Sequence, residues 1–318
     1  MTANSDLQAC IDGFLAHQRA LGRKYRSEHA TLRLLARFAT EREITDLAGL
    51  TAGFLDEFFA SRPRPRARSF NQLVGIVSCF LDWTVGQQLL ERSPLRTRRR
   101  RETAQRIPFI FDLAAARRLL DAAAALPDNP RAAGRGVVYH TIFALCYGLG
   151  LRAGEVCSLR VGHVDIARQL IEVRGGKFGK DRLVPFGPRI GKLLAARLEH
   201  TGTDHETPLF SFDGRRPINP GTASQVFHRL VIDLDLDVPD GIGTPRLHSL
   251  RHSFAVGCLT RWYRTGDDPT ARLYQLSTFM GHVDPVSTSV YLTITTDLLA
   301  EANRRFETFA HPAISGVV

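Results

Sequence analysis

The sequence lacks any apolar run of about 18 residues, so it predicts no membrane-spanning helix. Its first residues also lack the basic and then apolar pattern of a signal peptide. It has only five cysteines, an odd number, and no Cys-x-x-Cys pair, which argues against a disulfide framework and a structural zinc site. A phosphate-binding loop of the Gly-x-x-x-x-Gly-Lys-Ser/Thr type is missing too, as is an acidic cluster with metal spacing. We therefore expect a cytoplasmic protein without a metal or other cofactor.

Lysine is also rare in this sequence. Only four of the 42 basic residues are lysines, and the rest are arginines. The formal net charge is +10, and it is unevenly distributed. Residues 1–108 hold 18 basic and 11 acidic residues, a net +7, which leaves +3 for the other 210 residues. Such a basic first third favours a polyanionic partner, although a merely basic surface remains the alternative.

The first hundred residues have helical spacing of apolar side chains. Proline follows the third of these helices, and Thr51 is placed to cap its start. A small all-α domain over residues 1–94 is therefore predicted. The four predicted helices are Leu7–Leu21, Ser27–Phe38, Ala52–Ser61 and Ser69–Gln88.

An arginine-rich linker is predicted over residues 95–108, followed by a second domain over residues 109–318. The linker can be a solvated connector, a segment that follows a nucleic-acid backbone, or both. In the second domain, helical patterns surround two alternating segments, Gln169–Arg174 and Arg182–Phe186, joined by a glycine-rich turn. The predicted fold is thus mainly α with a small antiparallel β-sheet, in two domains.

Six side chains of the second domain suit the chemistry of a phosphodiester. Arginines are permanently charged, bidentate donors for phosphate oxygens, and a tyrosine hydroxyl can become a nucleophile. Each residue alone has an ordinary explanation, such as a salt bridge between Arg152 and Glu155, but their joint order is improbable by chance. The six candidates are Arg152, Lys177, His248, Arg251, His282 and Tyr291.

These residues lie in Gly150-Leu151-Arg152-Ala153-Gly154-Glu155, Gly175-Gly176-Lys177-Phe178-Gly179-Lys180, His248-Ser249-Leu250-Arg251-His252 and Met280-Gly281-His282, with Tyr291 nine residues further on. The set resembles the active site of the tyrosine recombinases, also called the phage integrase family, from about residue 105 to 310. The resemblance implies a two-domain clamp on double-stranded DNA, made of a helical core-binding domain and an α+β catalytic domain. It also implies a Xer-like site-specific recombinase that uses neither metal nor ATP.

The resemblance also assigns roles. Tyr291 would form a 3′-phosphotyrosyl link, while Arg152, Arg251 and His282 hold the non-bridging oxygens. His248 would assist proton transfer, and Lys177, rather than the neighbouring Lys180, would protonate the 5′-oxygen leaving group. Two departures from the family pattern are the Leu-Thr pair that follows Tyr291 and an insertion-like stretch over residues 261–269.

Contacts to DNA are expected from arginines of the first domain and of the linker, because phosphate contacts dominate affinity. One amide, that of Asn71, is a candidate for a base edge. These candidates are Arg62, Arg64, Arg66, Arg68, Asn71, Arg98, Arg99, Arg100 and Arg101.

The resemblance implies a homotetramer on two DNA sites, or a hetero-assembly with a sibling recombinase, with a C-terminal helix at residues 297–309 packing on a neighbour. Chromosome dimer resolution, phage integration and transfer of a mobile element are all compatible roles. Two alternative functions stay open. One is a type IB topoisomerase with the same catalytic set, and the other is an accessory DNA-binding protein without catalysis.

Overall fold

The structure, a computed structural model, describes residues 6–102, 107–175, 181–281, 291, 299–300 and 303–304. The chain divides into two compact units, Met1–Gln105 and Arg106–Val318. The described part of the first unit contains four helices, α1 to α4. These are α1 (Leu7–Ala20), α2 (Arg26–Thr40), α3 (Ala52–Ala60) and α4 (Ala67–Gly86).

Local sequence explains where the helices of the first unit begin. The carboxylate of Asp6 accepts a hydrogen bond from the backbone N–H of Ala9 at 2.7 Å, and the Thr51 hydroxyl accepts one from Phe54 at 3.2 Å. Each such cap stabilises a helix by about 1 kcal/mol. The four helices bury one apolar core in which aromatic rings meet edge to face, as Phe14 and Phe80 do with ring centroids 5.7 Å apart. The four predicted helices are confirmed, with ends within a few residues of the prediction.

The predicted linker does not stand apart from the first unit over its first eight residues. Leu95 packs against the core, and the Thr97 hydroxyl donates to a carboxylate oxygen of Asp56 on α3 at 2.6 Å. Arg100 lies with its guanidinium carbon 3.9 Å from the centroid of the Phe70 ring on α4. Residues 95–102 are therefore fastened along α3 and α4, which periodicity and composition did not indicate.

The described part of the second unit contains seven α-helices, one 3-10 turn (Val161–His163) and a three-stranded sheet. The helices are α5 (Leu113–Ala124), α6 (Arg135–Gly148), α7 (Ala153–Cys157), α8 (Pro188–Glu199), α9 (Pro220–Asp233), α10 (Leu247–Thr265) and α11 (Pro269–Met280). The strands are β1 (Val164–Asp165), β2 (Leu170–Val173) and β3 (Arg182–Pro185). Of all the helices that the structure describes, none has the length and apolar character needed to cross a membrane.

The sheet is antiparallel with the order β1-β2-β3, and Val173 pairs with Arg182 at the end of the β2–β3 hairpin next to its turn. Ile171, Val173 and Val184 face the core and are almost fully buried, as alternation predicts. Just beyond the last pair, the backbone N–H of Gly175 donates to the Asp181 carboxylate at 2.7 Å. The two ends of the segment that carries Lys177 are therefore held together. Lys177 and Lys180 themselves lie outside the described residues.

The core of the second unit surrounds α6, which is apolar on nearly all sides and packs against α5, α8 and α10. Phe143 of α6 and Phe227 of α9 meet edge to face at 5.6 Å. A smaller cluster joins α10, α11 and Tyr291. The insertion-like stretch is in large part regular helix, because α10 continues to Thr265 and ends at Gly266, which has a φ of 83°. The predicted fold class, mainly helical with one small antiparallel sheet, is confirmed.

Candidate active site

Arg152 is placed by a turn between α6 and α7 that requires glycine. Gly150 has a φ of 61°, and a Cβ atom there would lie 2.4 Å from a carbon of the Phe254 ring. A larger residue would both strain the backbone and collide with that ring. The chain therefore leaves α6, turns at Gly150 and enters α7 with Arg152 as the N-cap residue. Its side chain keeps 21% of its surface exposed.

A buried carboxylate, Glu155, organises the arginines around it. It accepts from the backbone N–H of Arg152 at 2.9 Å and from Arg152 Nη1 at 2.7 Å. It also receives both terminal nitrogens of Arg182 from β3, at 3.0 and 2.9 Å. Burial alone would raise the pKa of Glu155, but the hydrogen bonds and charges of Arg182 and Arg152 lower it to about 2. Glu155 is therefore ionised at neutral pH.

The same two arginines reach the C-terminal end of α11. Arg182 Nε donates to the carbonyl of Phe279 at 3.0 Å, and Arg152 Nη2 donates to the carbonyl of Gly281 at 3.0 Å. Gly281 has a φ of 68°, and a Cβ atom there would lie 2.8 Å from Arg182 Nη1. The turn that leads into His282 is therefore fixed against Arg152 and Arg182. His282 lies outside the described residues.

Arg251 of α10 is almost completely buried, with 1% of its surface exposed. Nη1 donates to the carbonyl of Gly150, and Nη2 donates to the carbonyl of Met280 at 2.7 Å. Nε has no hydrogen-bond partner within the described residues. Burial, together with the charge of Arg152, lowers the pKa of Arg251 to about 10, so it stays charged at neutral pH. An anion placed here would relieve the cost of this buried charge.

Tyr291 lies against the same cluster and is 4% exposed. Its hydroxyl oxygen is 2.8 Å from Nδ1 of His252, the residue that follows Arg251. Burial raises the pKa of Tyr291, while the charges of Arg251 and Arg152 act to lower it. Burial, and then the charge of Arg251, lowers the pKa of His252 to about 4. The exposed His248 meets His252 edge to face, with ring centroids 4.6 Å apart.

Four of the six predicted catalytic residues thus fall within the described part of the chain. Arg152 and Arg251 converge on the turn that ends α11, and Tyr291 lies next to them. His248 joins this group through His252. The ion pair with Glu155, which was the non-catalytic explanation for Arg152, is also present. Arg152 therefore both pairs with Glu155 and belongs to the candidate site.

The predicted DNA-contacting residues all belong to the first unit, where they divide into two groups. Arg62 lies 5.0 Å from the centroid of the Phe58 ring and donates to the Leu34 carbonyl, so it packs against its own domain. Arg100 stacks on Phe70 in the same way. The remaining arginines are exposed, and they are Arg64, Arg66, Arg68, Arg98, Arg99 and Arg101.

Asn71 fastens the arginine-rich segment to α4. Its Oδ1 accepts from the backbone N–H of Arg100 at 2.7 Å, and its Nδ2 donates to the Arg100 carbonyl at 2.8 Å and to Glu102 at 3.1 Å. The Asn71 amide therefore bonds to both the N–H and the carbonyl of Arg100, as a neighbouring strand would. These hydrogen bonds use the same amide atoms that a contact with a base edge would use. In this structure Asn71 holds residues 100–102, and its contact with a base edge stays a prediction.

Three residues of the site were missed from the sequence as functional candidates, namely Glu155, Arg182 and His252. Arg182 and Glu155 are 27 positions apart, and no local pattern announces their pairing. His252 could have been identified from the sequence, because it lies four residues after His248 and therefore on the same side of α10. Within the described ranges, no three His, Cys, Asp or Glu side chains lie close enough to share a metal ion.

Comparison with known proteins shows which family the chain belongs to. Residues 113–297 match the family model described as "Phage integrase family". The putative integrase/recombinase y4rB of Sinorhizobium fredii is 31% identical, with 95% of this chain and 98% of that protein covered. The tyrosine recombinase XerC of Xanthomonas campestris pv. campestris is 26% identical, with 91% and 85% covered.

Solved structures share the fold. The lambda integrase dimer bound to a COC′ core site gives a TM-score of 0.64 at 16% identity, covering 91% of this chain and 78% of that one. The Tn1549 transposon integrase in complex with transposon right end DNA gives 0.63 at 17% identity, covering 95% and 99%. Fold and site together define the class of tyrosine-type DNA strand transferases. The chain belongs to the phage integrase family, which confirms the resemblance inferred from its motifs.

Proposed function

We propose that this protein is a site-specific DNA recombinase in which Tyr291 attacks a phosphodiester. The phenolic oxygen forms a bond to phosphorus as the bond to the 5′-oxygen breaks, which leaves a 3′-phosphotyrosyl link and a free 5′-hydroxyl. Attack by a 5′-hydroxyl from another strand reverses these steps and gives recombined DNA. Because one phosphoester replaces another, the exchange needs no ATP.

One observation carries this proposal: two guanidinium groups hold a single buried carboxylate, and the buried guanidinium of Arg251 lies near them and near Tyr291. Arg152, Arg182 and Arg251 contribute three positive charges and Glu155 one negative charge, a net of two positive charges in a largely buried place. A phosphodiester brings one negative charge, and its transition state spreads more charge over the same oxygens. Fixed positive donors therefore stabilise the transition state more than the bound substrate.

The remaining catalytic roles follow from the family resemblance. We assign Arg152, Arg251 and His282 to the non-bridging oxygens, and Lys177 to protonation of the leaving 5′-oxygen. The Gly175–Asp181 hydrogen bond holds the two ends of the Lys177 segment together, and the Gly281 turn precedes His282. Both segments are thus attached to described parts of the site, which supports these assignments.

We further propose that the first unit grips double-stranded DNA with its exposed arginines, and that strand exchange takes place in a tetramer on two DNA sites. The charge excess of residues 1–108 supports the first point, because phosphate neutralisation drives such binding. For the second, lambda integrase has been solved as a tetramer bound to a Holliday junction. The neighbour-packing helix at 297–309 is part of this proposal, and residues 299–300 and 303–304 within it are helical.

The test is covalent trapping. DNA sites are first selected from a random duplex library by binding to the full-length protein. A nick is then placed a few nucleotides beyond the cleavage point, so that the short fragment with the freed 5′-hydroxyl diffuses away. The unaltered protein should accumulate a protein–DNA adduct that survives denaturation. Tyr291→Phe should form none while binding the site within a few-fold of the unaltered protein, because only the nucleophilic hydroxyl is removed.

Tyr274→Phe is the matched control, since Tyr274 is 69% exposed and lies in the same part of the chain. It should form the adduct at the normal rate. An adduct with Tyr291→Phe would refute the assignment. Exchange between two sites on one plasmid separates a recombinase from a topoisomerase, which would only relax the supercoils of a plasmid.

A further inference from the structure

We infer that His252 is the group that accepts the proton of Tyr291 when the tyrosine attacks DNA. This inference rests on the proposed function and deepens it, because it names the base of the same site. It stands on the contact between His252 Nδ1 and the Tyr291 hydroxyl oxygen, 2.8 Å apart. A general base must lie within hydrogen-bond reach of the proton that it removes, and this distance meets the requirement.

The position of His252 on α10 makes the contact stable. It follows Arg251, whose guanidinium is bonded to the carbonyls of Gly150 and Met280, so this turn of the helix is held from both sides. The rings of His252 and Tyr291 lie with centroids 5.5 Å apart at an angle of 54°. Because Tyr291 is 4% exposed, bulk water has little access to its hydroxyl. A side chain must therefore take up its proton.

The surroundings of His252 keep its imidazole able to accept a proton. Burial and the neighbouring charge of Arg251 keep the imidazole neutral at pH 7, so Nδ1 can offer a lone pair with the hydrogen on Nε2. Among the residues that the structure describes, the other titratable groups in contact with it are Tyr291 and His248. A phosphodiester beside Arg251 adds negative charge and favours the protonated imidazole during attack. The base strength of His252 therefore rises when DNA is bound.

The proton balance of the step is complete. The Tyr291 proton moves to Nδ1 of His252 as the oxygen–phosphorus bond forms, and the leaving 5′-oxygen takes a different proton from the general acid, proposed as Lys177. On rejoining, the imidazolium returns its proton to the tyrosine. The exposed His248, edge to face with His252, is then a neighbour rather than the primary acceptor.

The experiment replaces His252 by asparagine, whose side-chain amide can still form a hydrogen bond near the Nδ1 position but cannot take a proton. Single-turnover adduct formation on the nicked substrate should slow by roughly 10² to 10⁴-fold, the usual contribution of a general base. Site-specific DNA affinity should stay within threefold. His140→Asn, at a half-buried histidine on α6, is the matched control and should cleave normally.

A second arm installs 3,5-difluorotyrosine at position 291 in both proteins. The fluorines make the phenol more acidic, so attack depends less on a base. The defect of His252→Asn should then shrink to within about tenfold of the fluorinated protein that retains His252. A purely positional role would leave the defect the same size with either phenol, and that result would overturn the inference.

A third measurement uses the unaltered protein and does not depend on a variant that folds. Nitrogen-15 spectra of the histidine side chains at pH 7 should show His252 neutral with its hydrogen on Nε2. A hydrogen on Nδ1, or adduct formation by His252→Asn within threefold of normal, would overturn the inference while Tyr291 remained the nucleophile. Failure of the proposed function looks different, since Tyr291→Phe would then still form the adduct.

Discussion

Replacing Arg182 by methionine should destabilise the second unit far more than replacing a neighbouring arginine of the same hairpin. Arg182 holds both oxygens of Glu155 and the carbonyl of Phe279, and its side chain is only 12% exposed. Methionine fills a similar volume without a charge. Glu155, itself 6% exposed, would keep Arg152 as its remaining ionic partner in a site of low polarity.

Removing one partner of a buried ion pair costs about 3–5 kcal/mol, because the other charge stays buried without compensation. Since Arg152 still donates two hydrogen bonds to Glu155, we expect a loss near the lower limit, about 3 kcal/mol. The matched control is Arg174→Met. Arg174 pairs with Glu172 at 2.8 Å, but their side chains are 56% and 35% exposed, so its loss should cost less than about 1 kcal/mol.

The assay is urea unfolding of the full chain, followed through Trp262 on α10 in a Trp83→Phe background so that fluorescence reports only the second unit. The double variant Arg182→Met with Glu155→Gln should be less destabilised than the sum of the single changes by about 1–3 kcal/mol, because no unpaired carboxylate remains. Additive effects, or an Arg182→Met loss equal to that of Arg174→Met, would refute the reasoning.

Three further outcomes are expected. As pH falls from about 6.5 to about 4, His252 takes up a proton in the unfolded chain but not in the folded one. Urea unfolding at each pH should therefore show the second unit losing about 3 kcal/mol of stability, and less in His252→Asn. An equal dependence of stability on pH in both proteins would contradict the neutral imidazole. Lys177→Ala should lose cleavage of ordinary DNA but regain it on a bridging 5′-phosphorothiolate, whose thiolate leaves without a proton; rescue of Lys180→Ala instead would move the role to Lys180. Arg98, Arg99 and Arg101 are changed to glutamine, and Arg100 is kept because it stacks on Phe70. The slope of log DNA affinity against log salt concentration should then fall by roughly two to three. An unchanged slope would make the segment a connector without DNA contacts.

The helices and strands were predictable because local patterns set them. Apolar spacing located α1 to α4, and the cap at Thr51 set the start of α3 to the residue. Alternation located β2 and β3. The convergence of Arg152, Arg251 and Tyr291 was predictable only through the family resemblance, since these residues come from distant segments.

Side-chain partnerships between such segments were not predictable. Arg182 looked like a strand residue, yet its guanidinium joins Glu155 to the end of α11. Asn71 looked able to read a base, but its amide completes hydrogen bonds with Arg100. In both cases the partner is set by tertiary packing, about which the local sequence carries no information.

The central claim is that Tyr291 becomes covalently attached to DNA. The most direct measurement is mass spectrometry of the trapped adduct after nuclease and trypsin digestion. Trypsin should release residues 273–304 as one peptide, which contains both Tyr274 and Tyr291. We expect fragmentation to place the nucleotide phosphate on Tyr291. A phosphate on Tyr274, on any other residue, or no adduct at all from DNA that the protein binds specifically would contradict the account.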